Sequence, residues 1–521
     1  MCTKHLNRIH SLISKNKQLA MLLKRSFLIF VLVLLSIVLL ELVAKIVNHT
    51  ILRTKINPEN LKSEFEQIYI PPFAQKKPDE FWVFIYGGSS VQGLPLPKAG
   101  FVNQFDYQMN HVFAGKNIKV FNFGWAGLNS TRIRYVFDRT IGQKPDLAIV
   151  YTGENEYIYP QLDFYPLVKT VTALKNKTDL GKLLMYATSS GQSEQTGELL
   201  LSSQRYPPYG ANKLLTKLKM VVFENNLKGI SQEAQKQSVP LVLAAAASNI
   251  ADWPPVRRSL TTLKVKENYE AGILEVNKLI GEGKLTEAKG LVETLLRQYS
   301  DDAFLLYLTA QIARENGQDA KELLEAARDK DLVPWRATSG HIESMGRIAR
   351  EKKVWFINIK KIFDENSPQK ATGFNFILDG THPNKEGAYL LTSSLVNFIK
   401  DNGLVKKEWV DESQSLYSAD EVFGAIALTS ADDEFMYVRT AGLALKLPLH
   451  NLEGARYYLD NALKINEGNW ETWAVYASLT HLERKDEEAK VYLDKAGELK
   501  GAKIRREDVQ FIPYLYEIIP E

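Results

Sequence analysis

Along the middle of the chain, short apolar runs alternate with longer stretches in which apolar residues recur at helical spacing. The runs at 81–86, 118–123, 146–151, 240–247 and 354–359 predict strands, the first of them fully buried. The stretches at 101–113, 130–140, 213–237, 337–351 and 385–400 predict helices. Strands alternating with helices in this way argue for βαβ units and a parallel sheet, an α/β domain with helices on both faces.

Two regions depart from the alternation. Residues 262–332 read as helices only, with Ala288 and Leu295, Ala303 and Ala310, and Ala320 and Ala327 at helix–turn–helix spacing. They predict a helical-repeat insert within the sheet domain. After a junction at 401–432, Ala455, Leu459 and Ala462 recur 34 residues later as Ala489, Leu493 and Ala496, with Trp473, Tyr476 and Ala477 between them. A 34-residue period of small and bulky positions predicts tetratricopeptide-like repeats, although any pair of helical hairpins gives a similar pattern.

The N-terminus carries a different signal. Residues 26–40 are apolar and uncharged, and 26–47 is long enough to cross a bilayer. Lys4, Arg8, Lys15, Lys17, Lys24 and Arg25 precede it. The positive-inside rule then predicts a single-pass membrane protein with a cytoplasmic N-terminus and an extracytoplasmic body, periplasmic in a Gram-negative cell. Leu42-Val43-Ala44-Lys45 makes a poor cleavage site, so a retained signal anchor is favoured over a cleaved signal peptide. Residues 48–80 are polar, contain Pro58, Pro71, Pro72 and Pro78, and predict a stalk with one short helix near 61–68. Residues 158–215 predict a long excursion on the active-site side. The expected organisation is a cytoplasmic segment 1–25, an anchor 26–47, a stalk 48–80, a sheet domain of 81–261 and 333–400 interrupted by the insert 262–332, and helical repeats over 401–521.

Composition narrows the function. A chain of 521 residues calls for two or three domains. A net charge of +4, with no long basic block beyond the N-terminus, gives no support for nucleic-acid binding. The single cysteine, Cys2, excludes a disulfide framework and a thiolate metal site.

The chemistry gathers at the predicted strand ends. Gly87-Gly88-Ser89 follows the first strand, with Gly93 close behind. Gly127 follows the second, Gly153-Glu154-Asn155 the third, and Asp379-Gly380-Thr381-His382 the last. In an open parallel sheet these loops converge on one edge, where ligands bind. A serine on a glycine turn that opens a helix is a candidate nucleophile, and the helix N-terminus would favour developing negative charge. The bland alternative is a glycine-rich turn with an incidental serine. His382 is the candidate base, and Asp379 on the same turn would orient it. The Ser89 and Gly127 backbone N–H groups and the Asn155 amide are the candidate oxyanion hole. Seven other histidines lie before or within the N-terminal region, in predicted helices or in the repeat region, so His382 is the one at a sheet loop. Ser90 is the competing nucleophile. An α/β-hydrolase elbow is a weaker reading, because G-x-S-x-G is absent.

These four blocks in order resemble the SGNH (GDSL-like) hydrolase family, over about 81–255 and 335–400. Its first block matches Gly87-Gly88-Ser89 with Gly93, its second Gly127, its third Gly153-Glu154-Asn155 and its fourth Asp379 to His382. The resemblance implies a flavodoxin-like three-layer α/β/α fold, no metal or cofactor, and ester hydrolysis or acyl transfer. Two positions depart from the pattern: Gly88 replaces the usual aspartate beside the nucleophile, and Glu156 stands where many members have aspartate. The stretch 248–255 followed by helical repeats looks like a membrane-tethered subgroup. Arg336 is a weak candidate for contacting an anionic or carbohydrate substrate, with a structural salt bridge as the plainer reading. The expected substrate is an acyl ester, with acetyl among the candidate acyl groups, of an envelope carbohydrate or lipid. The competing function is a repeat scaffold that docks protein partners of an envelope assembly and carries a vestigial hydrolase domain.

Overall fold

The computed structural model describes residues 68–158, 213–255 and 263–509 apart from short gaps, residues 35–46 apart from Ile37, and isolated positions in 164–180 and 510–519. Contacts divide the chain into two units. One comprises 1–69 with 166–195, and the other 70–165 with 196–521. In the first unit residues 38–46 are helical, and Glu41 accepts the backbone N–H groups of Asp179 (2.6 Å) and Leu180 (2.9 Å). Half of the predicted span 26–47 lies outside the described residues. Among those described, no helix is long and apolar enough to cross a membrane. The predicted excursion 158–215 also lies almost wholly outside them.

The second unit is built on a five-stranded, fully parallel sheet. Its strands are β1 (Glu80–Gly87), β2 (Asn117–Gly124), β3 (Leu147–Thr152), β4 (Leu241–Ala245) and β5 (Trp355–Asn358), in the order β2-β1-β3-β4-β5. From β1 the chain crosses to β2 on one side and then to β3 on the other. The gap between the β1 and β3 carboxyl ends is therefore a topological switch point, where such sheets bind ligands.

Alternation along β1 explains the three layers. Phe81, Val83 and Ile85 join a core with α2 (Phe101–Val112) and α11 (Lys385–Asp401). Trp82, Phe84 and Tyr86 face the other way. There Tyr86 packs at a tilt against Phe137 (5.0 Å between ring centroids) and shares a 2.8 Å hydrogen bond with Thr140 on α3 (Ser130–Thr140). Burying both faces removes the need for polar alternation, which is why β1 reads as one apolar run. On the α3 face, α4 (Lys213–Lys236) and α9 (Ser339–Lys352) complete the layer. The predicted stalk ends before residue 80: Phe73 packs on Trp82, Phe84, Phe121 and Phe123, and Lys76 pairs with Asp146 at 2.5 Å.

Both helical regions belong to this unit. The insert is α5 (Leu263–Gly281), α6 (Leu285–Gln298), α7 (Ala303–Glu315) and α8 (Lys321–Asp329), each packed on the next. After β5 come α10 (Ile359–Glu365), α11 and α12 (Ala419–Ala425). The C-terminal hairpins follow: α13 (Ser430–Leu445) with α14 (Leu452–Ile465), and α15 (Trp470–Leu482) with α16 (Asp486–Lys500). Ala455, Ala462, Ala489 and Ala496 are fully buried between them, where small residues let helix backbones approach.

Candidate active site

β1 delivers the chain to its carboxyl edge and stops at Gly87. The next residues form a single helical turn, α1 (Ser89–Gln92), which Gly93 ends in the left-handed region (φ 90°). So short a helix sums too few peptide dipoles to supply the anion stabilisation expected of a helix N-terminus. Gly88 has a specific steric cause. A Cβ there would lie 2.5 Å from Asn155 Nδ2 and 3.3 Å from Glu154 Oε1, so no side chain fits while those residues stay in place.

Opposite this turn, the chain from Ile377 to Pro383 folds back on itself through an isolated bridge, and Leu378 N–H donates to the His382 carbonyl (2.8 Å). Within it His382 Nε2 lies 2.7 Å from Ser89 Oγ, and His382 Nδ1 lies 2.6 Å from Asp379 Oδ2. The other oxygen, Asp379 Oδ1, accepts the N–H groups of Thr381 (2.7 Å) and His382 (2.9 Å). Burial works against the Asp379 charge, but His382 and these two amides outweigh it and hold the carboxyl below its ordinary range. Burial likewise opposes the His382 cation, yet the Asp379 charge and hydrogen bond raise its pKa above the usual histidine value. With Asp379 ionised, the Nδ1 proton points at it and Nε2 is left to accept from the Ser89 hydroxyl.

Besides the Ser89 N–H on the nucleophile turn, the candidate oxyanion donors sit on two neighbouring loops. Gly127 (φ 74°) and Asn155 (φ 71°) both take left-handed backbone, which is costly for asparagine and turns its amide toward the β1 turn. Asn155 Nδ2 also donates to the Leu128 carbonyl at 3.3 Å, tying the third-block loop to the second.

Two candidates act differently from their sequence readings. Ser90 is no rival nucleophile: its hydroxyl donates to the Thr381 carbonyl (3.1 Å) and fastens the nucleophile turn to the base turn. Arg336 does not face a substrate. It is 3 % exposed, its Nη1 donates to the carbonyls of Asn249 (2.8 Å) and Trp253 (2.7 Å), and it pairs with buried Asp331 at 3.6 Å. Its role is to hold the loop after β4. That loop in turn holds the base turn, through Asn249 N–H to the Gly380 carbonyl (3.1 Å) and the Asn249 amide to the Ile377 carbonyl (3.3 Å).

The sequence reading missed the outer supports. On the C-terminal side, buried Tyr458 donates its hydroxyl to the carbonyl of Leu378, next to Asp379, and Phe374 stacks on Tyr457 (4.5 Å between centroids). On the insert side, Arg314 reaches the Ala251 carbonyl (2.7 Å) and Asp252 (3.2 Å), and Gln311 reaches the same carbonyl (2.6 Å). No local pattern marks these residues, because each acts across a large separation in sequence. Among the described residues no cluster of three or more His, Cys, Asp or Glu could hold a metal ion.

No family model and no curated protein matches the chain. Among solved structures it is similar to a GDSL-like lipase from Bacteroides thetaiotaomicron, at 12 % identity and a TM-score of 0.28, over 63 % of this chain and 93 % of that one. It is similar to an acetylxylan esterase from Geobacillus stearothermophilus, at 11 % identity and a TM-score of 0.30, over 64 % and 97 %. A two-domain esterase active on acetylated mannans aligns at 11 % identity and a TM-score of 0.28, over 65 % and 53 %. Likeness at this level decides neither kinship nor activity.

Proposed function

We propose that the chain is an SGNH-type serine esterase or O-acyltransferase. One observation carries this reading: the unbroken relay from Ser89 Oγ through His382 to Asp379, at 2.7 and 2.6 Å, on the ligand-binding edge of the sheet. In the reaction Ser89 Oγ attacks the ester carbonyl while His382 Nε2 takes its proton. The Asn155 amide and the Gly127 and Ser89 N–H groups receive the oxyanion. His382 then protonates the departing alcohol and leaves an acyl-Ser89. Water or an acceptor hydroxyl, deprotonated by His382, releases the acyl group.

The apolar, uncharged stretch at 26–40 behind a basic flank supports a single-pass anchor with the site outside the cytoplasm. That placement favours an acyl ester of an envelope carbohydrate or lipid. The test uses the full chain in detergent, wild type and Ser89→Ala, with a fluorophosphonate and a short-chain aryl acetate. Labelling and turnover in wild type alone are expected. Labelling elsewhere, or turnover that survives Ser89→Ala, would overturn the assignment.

A further inference from the structure

Glu154 lies between Gly153 and the oxyanion-hole candidate Asn155, and the mechanism above gives it no part. It is 1 % exposed, and neither carboxyl oxygen meets a hydrogen-bond partner on another residue. A buried carboxyl left in this way is expensive as an anion. Its place is specific: Oε1 sits 3.3 Å from where a Cβ on Gly88 would project, beside the Asn155 amide. The resemblance drawn above puts an aspartate at position 88. Here glycine stands at 88, and a carboxyl arrives in the same neighbourhood from the end of β3.

We propose that Glu154 is a positioning and tuning residue for the acyl transfer: its carboxyl fills the space beside Gly88 and the Asn155 amide, and its charge state sets how readily His382 takes the Ser89 proton. The inference rests on the proposed function for its reaction, but not for its geometry. Burial raises the Glu154 pKa to about 7, with Glu156 adding to the rise while its own backbone N–H and His382 pull it down. Two charged groups bear on its titration, His382 and Glu156, and two further neighbours, Tyr151 and His341, are neutral. His382 feels the Glu154 charge, which helps to raise its pKa. Glu156, on the same loop, is held by the Ser130 N–H (2.7 Å) and hydroxyl (2.8 Å). The Tyr151 phenol on β3 is raised by burial and by Glu154, and so stays neutral. His341, packed on Gly153 from α9, has its pKa lowered by burial to about 4 and is also neutral. Beyond these, Lys219 reaches the Glu156 carbonyl from α4 (3.2 Å). Protonated, Glu154 adds no charge behind the oxyanion donors. Ionised, it opposes the oxyanion and holds the proton on His382 to higher pH.

The test is Glu154→Gln, which keeps the shape of the protonated acid and removes the titration. The acid limb of kcat/KM should move to lower pH by about half a unit or more. The melting temperature should rise relative to wild type between pH 4.5 and about 7, where the unfolded chain ionises Glu154 and the fold does not. A purely structural role would leave the acid limb in place, so superimposable pH profiles overturn the proposal. If the wild type shows no turnover at any pH, the proposed function falls, and the melting comparison still decides whether the fold holds Glu154 protonated. If Glu154→Gln does not fold, wild type is followed by infrared difference spectroscopy. A protonated-carboxyl band lost on the same titration as the acid limb supports the proposal, and its absence overturns it.

Discussion

The nucleophile turn and the base turn meet through the 2.7 Å Ser89–His382 contact and the 3.1 Å Ser90–Thr381 hydrogen bond, yet they are held by opposite means. Ser89 is fixed by what lies next to it in sequence: a buried strand before it, Gly88 pressed against Asn155, and a one-turn helix closed by Gly93. Asp379 and His382 follow no strand of the sheet. Their turn closes on itself and is then gripped from outside, by Asn249 after β4, by Ser90, and by Tyr458 on α14. Asn249 is backed by Arg336, and its loop by Arg314 on α7. Half of the candidate site is therefore local to the sheet, and half is assembled by helices from two other regions of the chain.

The strongest way to test that contrast is to remove one chemical group from each turn. Ser89→Ala should lower turnover by roughly 10³-fold or more while the protein stays folded, checked by aryl-acetate kinetics and circular dichroism. His382→Gln should cost a similar factor, and the double variant little more than either, because groups in one relay are not additive. Additive losses would mean that the two turns do not work as one unit.

pH sharpens the contrast next. Acylation needs neutral His382, whose pKa is raised from 6.5, so kcat/KM should climb with pH through a midpoint above 6.5 and fall away below it. Asp379 is held below its ordinary 3.8 and stays ionised throughout that range. A midpoint at or below 6.5 would mean that Asp379 does not grip the imidazole in solution as it does here.

Smaller effects should come from the outer supports. Tyr458→Phe removes the donor to the Leu378 carbonyl and should cost about 1 kcal/mol of stability. It should also lower kcat several-fold with KM little changed, although residue 458 lies far from Ser89 in sequence. Unchanged kcat would show that the base turn keeps its shape without the C-terminal helices. Arg314→Ala acts one loop further out. It should lower stability by about 1–2 kcal/mol, read from chemical denaturation, and leave kcat within about a factor of two. A larger fall in kcat would move the insert from support to a direct part in positioning.

These two kinds of support account for what could be read in advance. Strands β1, β3 and β4 were legible because burial on both faces makes each a compact apolar run, and the part-exposed edge strands β2 and β5 by short runs rich in aromatic and branched residues between turn signals. Ser89, Gly127 and Asn155 were legible for the same reason, since each follows directly from a strand end. Asp379 and His382 were legible as a pair by their spacing on one turn. Their supports were not. Tyr458 looks like any helical core tyrosine, and Arg336 reads equally as an exposed ligand-binding cation or as the buried carbonyl clamp it is. Glu154 offered no signal of its own, because a carboxylate at a loop position is ordinarily solvated.

By itself, then, the sequence determined the alternation of strands and helices, the parallel sheet, the two helical regions and the residue types that meet at the sheet edge. All of these are set by local periodicity and by spacing along the chain. Tertiary structure alone decided that Ser90 ties rather than attacks, that Arg336 is buried, that Tyr458 reaches the base turn, and that Glu154 sits unpartnered beside Gly88. Each depends on desolvation and on which groups distant parts of the chain bring, or fail to bring, within hydrogen-bond reach, and neither is encoded in any short window of residues.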